Sequence, residues 1–372
     1  MFDLPGIPSV GSSGHSKCRQ FRFSGTFGAI FIGFCTVSPA KDIYVEKFGA
    51  DAFAIAVLFF AISFFACLCE VLSGTLQNRE ALRYFFPVEK WGRKAPWLIT
   101  HMVILAIASA ALYLPPTRGR FVLPAWFFVV SLAMYWSIAT CGIACQSARQ
   151  EIYPYNEERS SVEVLSKIAC CIGVGYGVLP ILVLLARTDL ILVLCVSGYL
   201  FIGIMAGGLQ AAPIWLEAKS ASGQDSHSFL RQFRDVWGTP AFRHVFFIRW
   251  YEGMYQGLQT SNLLYYLTYV LGLHGIERSA GLVVVGLVNM VADLMAAFVT
   301  GWYLMERKNN FSLQRKVMFA RIANLVSTAC LLSLPVMIAG PGPYQQGSGL
   351  TFAVVIFLVW NFTMRGFQSP YS

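Results

Sequence analysis

Two acids sit where acids are expensive. Glu70 closes a run of eighteen uncharged residues, Ala52 to Cys69, and Asp293 lies inside the apolar stretch VNMVADLMAAF. Runs of such length cross a bilayer as helices. An ionisable residue inside one marks an ion or solute path, unless it is a structural acid paired with a neighbouring helix. Glu70 precedes Arg79 by nine residues, about 13 Å of helix, which puts it near the bilayer midplane. A carboxylate there can take a proton or a sodium ion from one side and release it to the other. Asn289 stands one turn before Asp293 on the same face, so the two can act together. Arg249 and Glu252, three apart in IRWYEG, read instead as a structural pair along one helix.

Other chemistries find little support. Most of the ten cysteines lie within or beside apolar runs, where they behave as small buried hydrophobes. No histidine stands at metal-ligand spacing from them, so no metal site is expected. His15, His227 and His274 fall in the tail or loops, and His101 and His244 near span ends. No catalytic cluster follows, and an enzyme is not expected. Gly173, Gly175 and Gly177 permit close helix approach; with no strand before them and no lysine at phosphate reach, they are not a nucleotide loop. No cofactor is expected beyond a coupling proton or sodium ion.

The elements that must position these residues are membrane helices. The 372 residues are 56% hydrophobic and 13% charged, against about 25% charged in soluble domains. The runs are continuously apolar, unlike alternating barrel strands, so the fold class is an all-α polytopic membrane protein. Spans are expected at 24–45, 51–78, 96–115, 122–147, 162–186, 190–213, 242–270, 277–304, 315–339 and 349–367. With the N-terminus cytoplasmic, inner loops hold nineteen Lys and Arg and outer loops six, as the positive-inside rule requires. The net charge of +9 thus faces lipid headgroups, and nucleic acid is not an expected partner.

Four regions follow. Residues 1–22 are a disordered cytoplasmic tail and 23–213 a six-helix bundle. Residues 214–241 are a linker whose Phe229, Leu230, Phe233, Val236 and Trp237 share one face, an amphipathic helix at the inner interface. Residues 242–372 are a second bundle. The two bundles echo each other: Tyr44-Val45 and Tyr269-Val270 end their first spans, and Gly49 and Gly272 each precede an acid by 21 residues. A parallel repeat is the reading.

Particular stretches carry a resemblance. GTFGAIFIGFCTVSPAKDIYVEKFG (25–49), EVLSG from Glu70, WGRKAPW (91–97), EIYPYNEERSS (151–161) and NLLYYLTYVLG (262–272) resemble the glycoside–pentoside–hexuronide:cation symporter branch of the major facilitator superfamily. That is the melibiose-permease-like group, which also takes in lysolipid transporters. The resemblance implies a major facilitator type helical bundle of twelve spans, of which about ten, six plus four, are present. Because the chain stops at Ser372 directly behind a span, it is expected to be C-terminally incomplete.

The resemblance also implies roles. Glu70 matches one cation-site acid of the family, whereas the second is Ala66 here, which favours protons over sodium. Thr26 stands where the sugar-transporting members have an acid. Trp136 resembles their solute-contacting tryptophan. Arg93, Lys94, Glu151, Glu158 and Arg159 correspond to charges that close the cytoplasmic side. The expected function is secondary active transport of a small organic solute, a sugar or glycoside, by alternating access. A lysolipid or other amphipath, or a transport-inactive receptor or scaffold, is the alternative. The expected partners are the bilayer and the solute, the protein a monomer, and its location the plasma membrane by default.

Overall fold

The computed structural model describes residues 17–210, apart from 79–80, 83, 117–118, 120, 154–155 and 186–189, together with isolated positions from 234 to 291. Apart from those positions, the linker and the later spans lie outside the described residues, as do Asp293 and Asn289. Those described form helices α1 (Lys17–Glu46), α2 (Ala52–Asn78), α3 (Val88–Trp91), α4 (Ala95–Leu112), α5 (Val122–Ile152), α6 (Asn156–Leu185) and α7 (Leu190–Leu209), with no strand among them. α1, α2, α4 and α5 include stretches long and apolar enough to cross a membrane.

A helix stands at each of the six spans expected in the first half, with ends shifted for local reasons. α1 starts at Lys17 rather than beyond a disordered tail, because Gln20 is buried and its side-chain oxygen accepts from Ser161 Oγ at 2.9 Å. It ends where Gly49 takes a positive φ of 74°, a conformation open to glycine at little cost. α2 then begins on a side-chain cap, with the Ala54 N–H donating to Asp51 Oδ2 at 3.0 Å, as helix starts favour. α4 stops at Leu112, short of Pro115 and Pro116. Its last carbonyls are taken by Tyr44 O–H on Leu112 O at 2.7 Å and Trp126 Nε1–H on Ala111 O at 2.9 Å. Those bonds satisfy acceptors that a helix end leaves open. α5 and α6 extend past the apolar spans through their charged ends.

α1 is the axis of the bundle. It packs chiefly along α6, then against α7 and α5, while α5 also meets α4 and α2. Glycines set the spacing. A Cβ on Gly28 would lie 2.8 Å from Ala169 O, and one on Gly173 2.9 Å from Gly28 O. On the same seam Ser166 Oγ donates to Val162 O at 2.7 Å and Ser24 Oγ to Gln20 O at 2.8 Å. α2 is the outlier. Ile55, Ile62, Cys69, Ser73 and Gln77, seven or four residues apart, are buried, whereas Phe53, Phe60, Phe64, Leu68 and Leu72 are exposed. Near its start Lys41 of α1 sits over the Phe59 ring, 5.3 Å from the centroid.

Gly173→Ala is expected to prise α1 from α6 and cost about 1–3 kcal/mol, the usual penalty of overpacking. Gly142→Ala, where an added Cβ meets nothing within 4 Å, should be neutral or stabilising because alanine favours helix. Thermal unfolding of both variants in one detergent checks the opposite signs.

Candidate functional site

Glu70 stands beside the buried stripe of α2. Cys69 and Ser73 are buried and Glu70 is exposed, because it lies about 60° round the helix from Ser73. Ser73 Oγ donates to its backbone carbonyl at 3.3 Å. The acid therefore faces away from the described bundle rather than into it.

Thr26 is fully buried, and its Oγ1 has no hydrogen-bond partner among the described residues. Phe27, next in sequence, makes an edge contact with Phe23 at 5.7 Å and carries the Arg149 guanidinium 6.0 Å from its ring centroid. Glu70, Thr26 and Trp136 thus belong to three different helices, α2, α1 and α5. Their contacts do not join them into one cluster.

Trp136 has specific partners that spacing did not reveal. Its Nε1–H donates to His101 Nε2 at 3.0 Å. His101 is buried, and its ring stacks on Trp97 with centroids 5.6 Å apart and an interplanar angle of 21°. The Trp136 carbonyl accepts from Thr140 Oγ1 at 2.8 Å, and the Thr140 carbonyl from Gln77 Nε2 at 2.9 Å. A polar chain therefore crosses α2, α5 and α4. Its only sequence sign is a histidine one turn after Trp97; nothing local ties residue 101 to residue 136.

The charged residues meet at one end of the bundle. Arg93 Nη2 lies 3.3 Å from Glu151 Oε1, and Lys94 Nζ contacts the same oxygen. Lys94 is only 3% exposed. Gly92 just before them takes a φ of 72°, which suits the glycine of WGRKAPW. On the other side of α5, Arg149 pairs with Glu163 of α6, and Lys167 Nζ lies 4.0 Å from Glu163. Arg159 Nε donates to Tyr153 O at 3.3 Å, whereas the Glu158 side chain lies outside the described residues. Arg93, Lys94 and Glu151 are thus brought together. The pairs they form join α5 to the residues leading into α4, inside one bundle. Arg149 and Glu163 escaped the sequence reading, in which Arg149 counted only as one more inner-side cation.

Glu151→Gln removes a counter-charge from the buried Lys94 and should cost about 2–3 kcal/mol. Lys94→Met fills the same space with an apolar chain and should cost less. Unfolding midpoints of the two variants give the order; the reverse order would mean that Glu151 is merely a solvated surface group.

A family model for MFS/sugar transport proteins matches residues 25–370. That stretch takes in nearly every described helix residue and continues through the second half of the chain. No curated protein matches the chain. Matched over most of its length and built in its described part from long apolar helices, the chain belongs to the MFS/sugar transport family, as an all-helical, multi-pass integral membrane transporter.

Proposed function

We propose that this transporter moves a small organic solute of the sugar or glycoside class by alternating access, driven by protons that bind Glu70. The observation that carries the reading is the place of Glu70 on a family-matched chain. It is an exposed carboxylate on a helix otherwise apolar on that side. A carboxylate turned to hydrocarbon is costly, so we read that face as bordering an aqueous path. Ala66 supplies no second carboxylate one turn away, and sodium favours several oxygen ligands, so a proton is the better coupling ion. Asp293 with Asn289 is the corresponding pair of the second half. We place Trp136 at the solute, the chain in the melibiose-permease-like branch, and the N-terminus on the cytoplasmic side of the plasma membrane, in a monomer.

The ion pairs of Arg93, Lys94 and Glu151 enter this scheme as fasteners of the first bundle, which lets it move as a rigid body against the other. Glu158 and Arg159 remain the residues through which the two halves would meet on the inner side.

One observation favours a second reading. Thr26, at the position of the sugar-binding acid, is wholly buried, so its hydroxyl is out of a sugar's reach in this conformation. A lysolipid or other amphipath would not need it.

Counterflow in proteoliposomes separates these readings. A panel of radiolabelled hexoses, methyl glycosides and a lysophospholipid is offered at pH 6 and pH 8 (about a hundredfold range in proton activity). Sugar exchange with uphill uptake that follows an imposed pH gradient is expected, and Glu70→Gln should retain exchange while losing the gradient dependence. Gradient-driven uptake that survives in Glu70→Gln rules out Glu70 as the coupling group. Exchange of the lysolipid alone supports the second reading, and no exchange of any compound supports a receptor or scaffold.

A further inference from the structure

We infer that His101 is a positioning residue for Trp136, and that it leaves Trp136 a stacking surface with no hydrogen bond to give a solute. The inference deepens the proposed function, since it rests on Trp136 touching the solute. Both imidazole nitrogens have assignable roles. Nδ1 lies 2.9 Å from the Trp97 carbonyl oxygen, which can only accept, so Nδ1 carries the proton. Nε2 lies 3.0 Å from Trp136 Nε1, and an indole nitrogen can only donate, so Nε2 is the bare acceptor. One neutral tautomer of His101 satisfies both bonds.

An indole has a single polar group, and here it is spent inside the bundle. What Trp136 keeps for a solute is its ring, which remains half-buried rather than enclosed. The ring is held through its N–H by His101, whose plane is backed by Trp97, and the backbone of its helix is tied through Thr140 to Gln77 of α2. Turning the indole toward a sugar hydroxyl would only exchange one acceptor for another at its N–H and would leave His101 Nε2 without its buried donor, a net loss. Trp136 therefore recognises the C–H face of a pyranose, and hydroxyl discrimination falls to other residues.

Ultraviolet resonance Raman reads the hydrogen-bonding state of an indole N–H. The difference between the wild-type protein and Trp136→Phe, both in detergent, isolates residue 136. It should report a bonded N–H that persists in His101→Gln, whose amide oxygen can accept, and is lost in His101→Leu. Counterflow of methyl β-D-glucoside should then show KM raised about fivefold in His101→Leu, the worth of one lost hydrogen bond, with the maximal rate little changed and KM restored in His101→Gln. An unbonded indole in the wild-type difference spectrum overturns the inference, and that spectrum decides alone if His101→Leu does not fold. A KM unaffected by His101→Leu overturns it as well. Should Trp136→Phe leave methyl β-D-glucoside exchange untouched while the spectrum reports the bond, the solute contact is refuted and the inference falls with it, though the His101–Trp136 bond stands.

Discussion

The close passage of α6 along α1 is the constraint on which the other contacts of this bundle depend. Helices in lipid gain nothing from burying apolar surface against one another, because hydrocarbon is as good a neighbour. They associate where backbones can approach, and α1 supplies that with glycines. Gly28 meets Ala169 and Gly173 of α6, Gly33 accommodates Leu105 of α4, and Ala29 takes the approach of Gly207 from α7. One helix is thereby gripped by three others. The hydroxyls of Ser24 and Ser166 lie on the same seam with their hydrogens given to backbone carbonyls, so little polarity is left unsatisfied in it. With α1 fixed, Phe23 and Phe27 are set against the end of α5, and Tyr153 and Arg149 pack on them.

At the charged end of the bundle, α5 acts in two directions. Arg149 and Glu151 are two residues apart, about 200° round a helix, so their side chains leave α5 on opposite sides. Arg149 reaches Glu163 on α6, and Glu151 reaches Arg93 and Lys94 before α4. Each sign of charge therefore finds its partner within the bundle. These pairs stiffen the first bundle, which rigid-body motion requires.

The spans were legible because they depend on local composition: length, apolarity and the basic residues behind them sufficed for six helices. Asp51 ahead of an apolar run is a readable helix start, and Gly49 and Gly92 stand where the backbone needs a positive φ. The polar chain from Gln77 to Trp97 was not legible, because its members lie on three helices and each looks ordinary in its own. A histidine in an apolar run signals nothing until Trp136 is seen beside it, 35 positions away. The same applies to Arg149 and Glu163, whose pairing depends on how α5 and α6 cross. Sequence fell short where the angle at which two helices face each other decides the partner.

That distinction also explains why α2 can hold an acid. Among the described residues α1, α4, α5 and α7 are each gripped on two or more sides, whereas α2 relies mainly on one stripe against α5. A carboxylate on a gripped helix would need a buried partner or a large desolvation cost. On the open side of α2 it needs neither for the described bundle to fold, since that side contributes little to packing among the described residues. Glu70 is set among exposed Phe64, Leu68, Val71 and Leu72, a surface too apolar for a face turned wholly to water and too costly, with its acid, for one turned wholly to lipid. Because the outer side of α2 carries little of the packing among the described residues, a charge can stand there without loosening the fold around it.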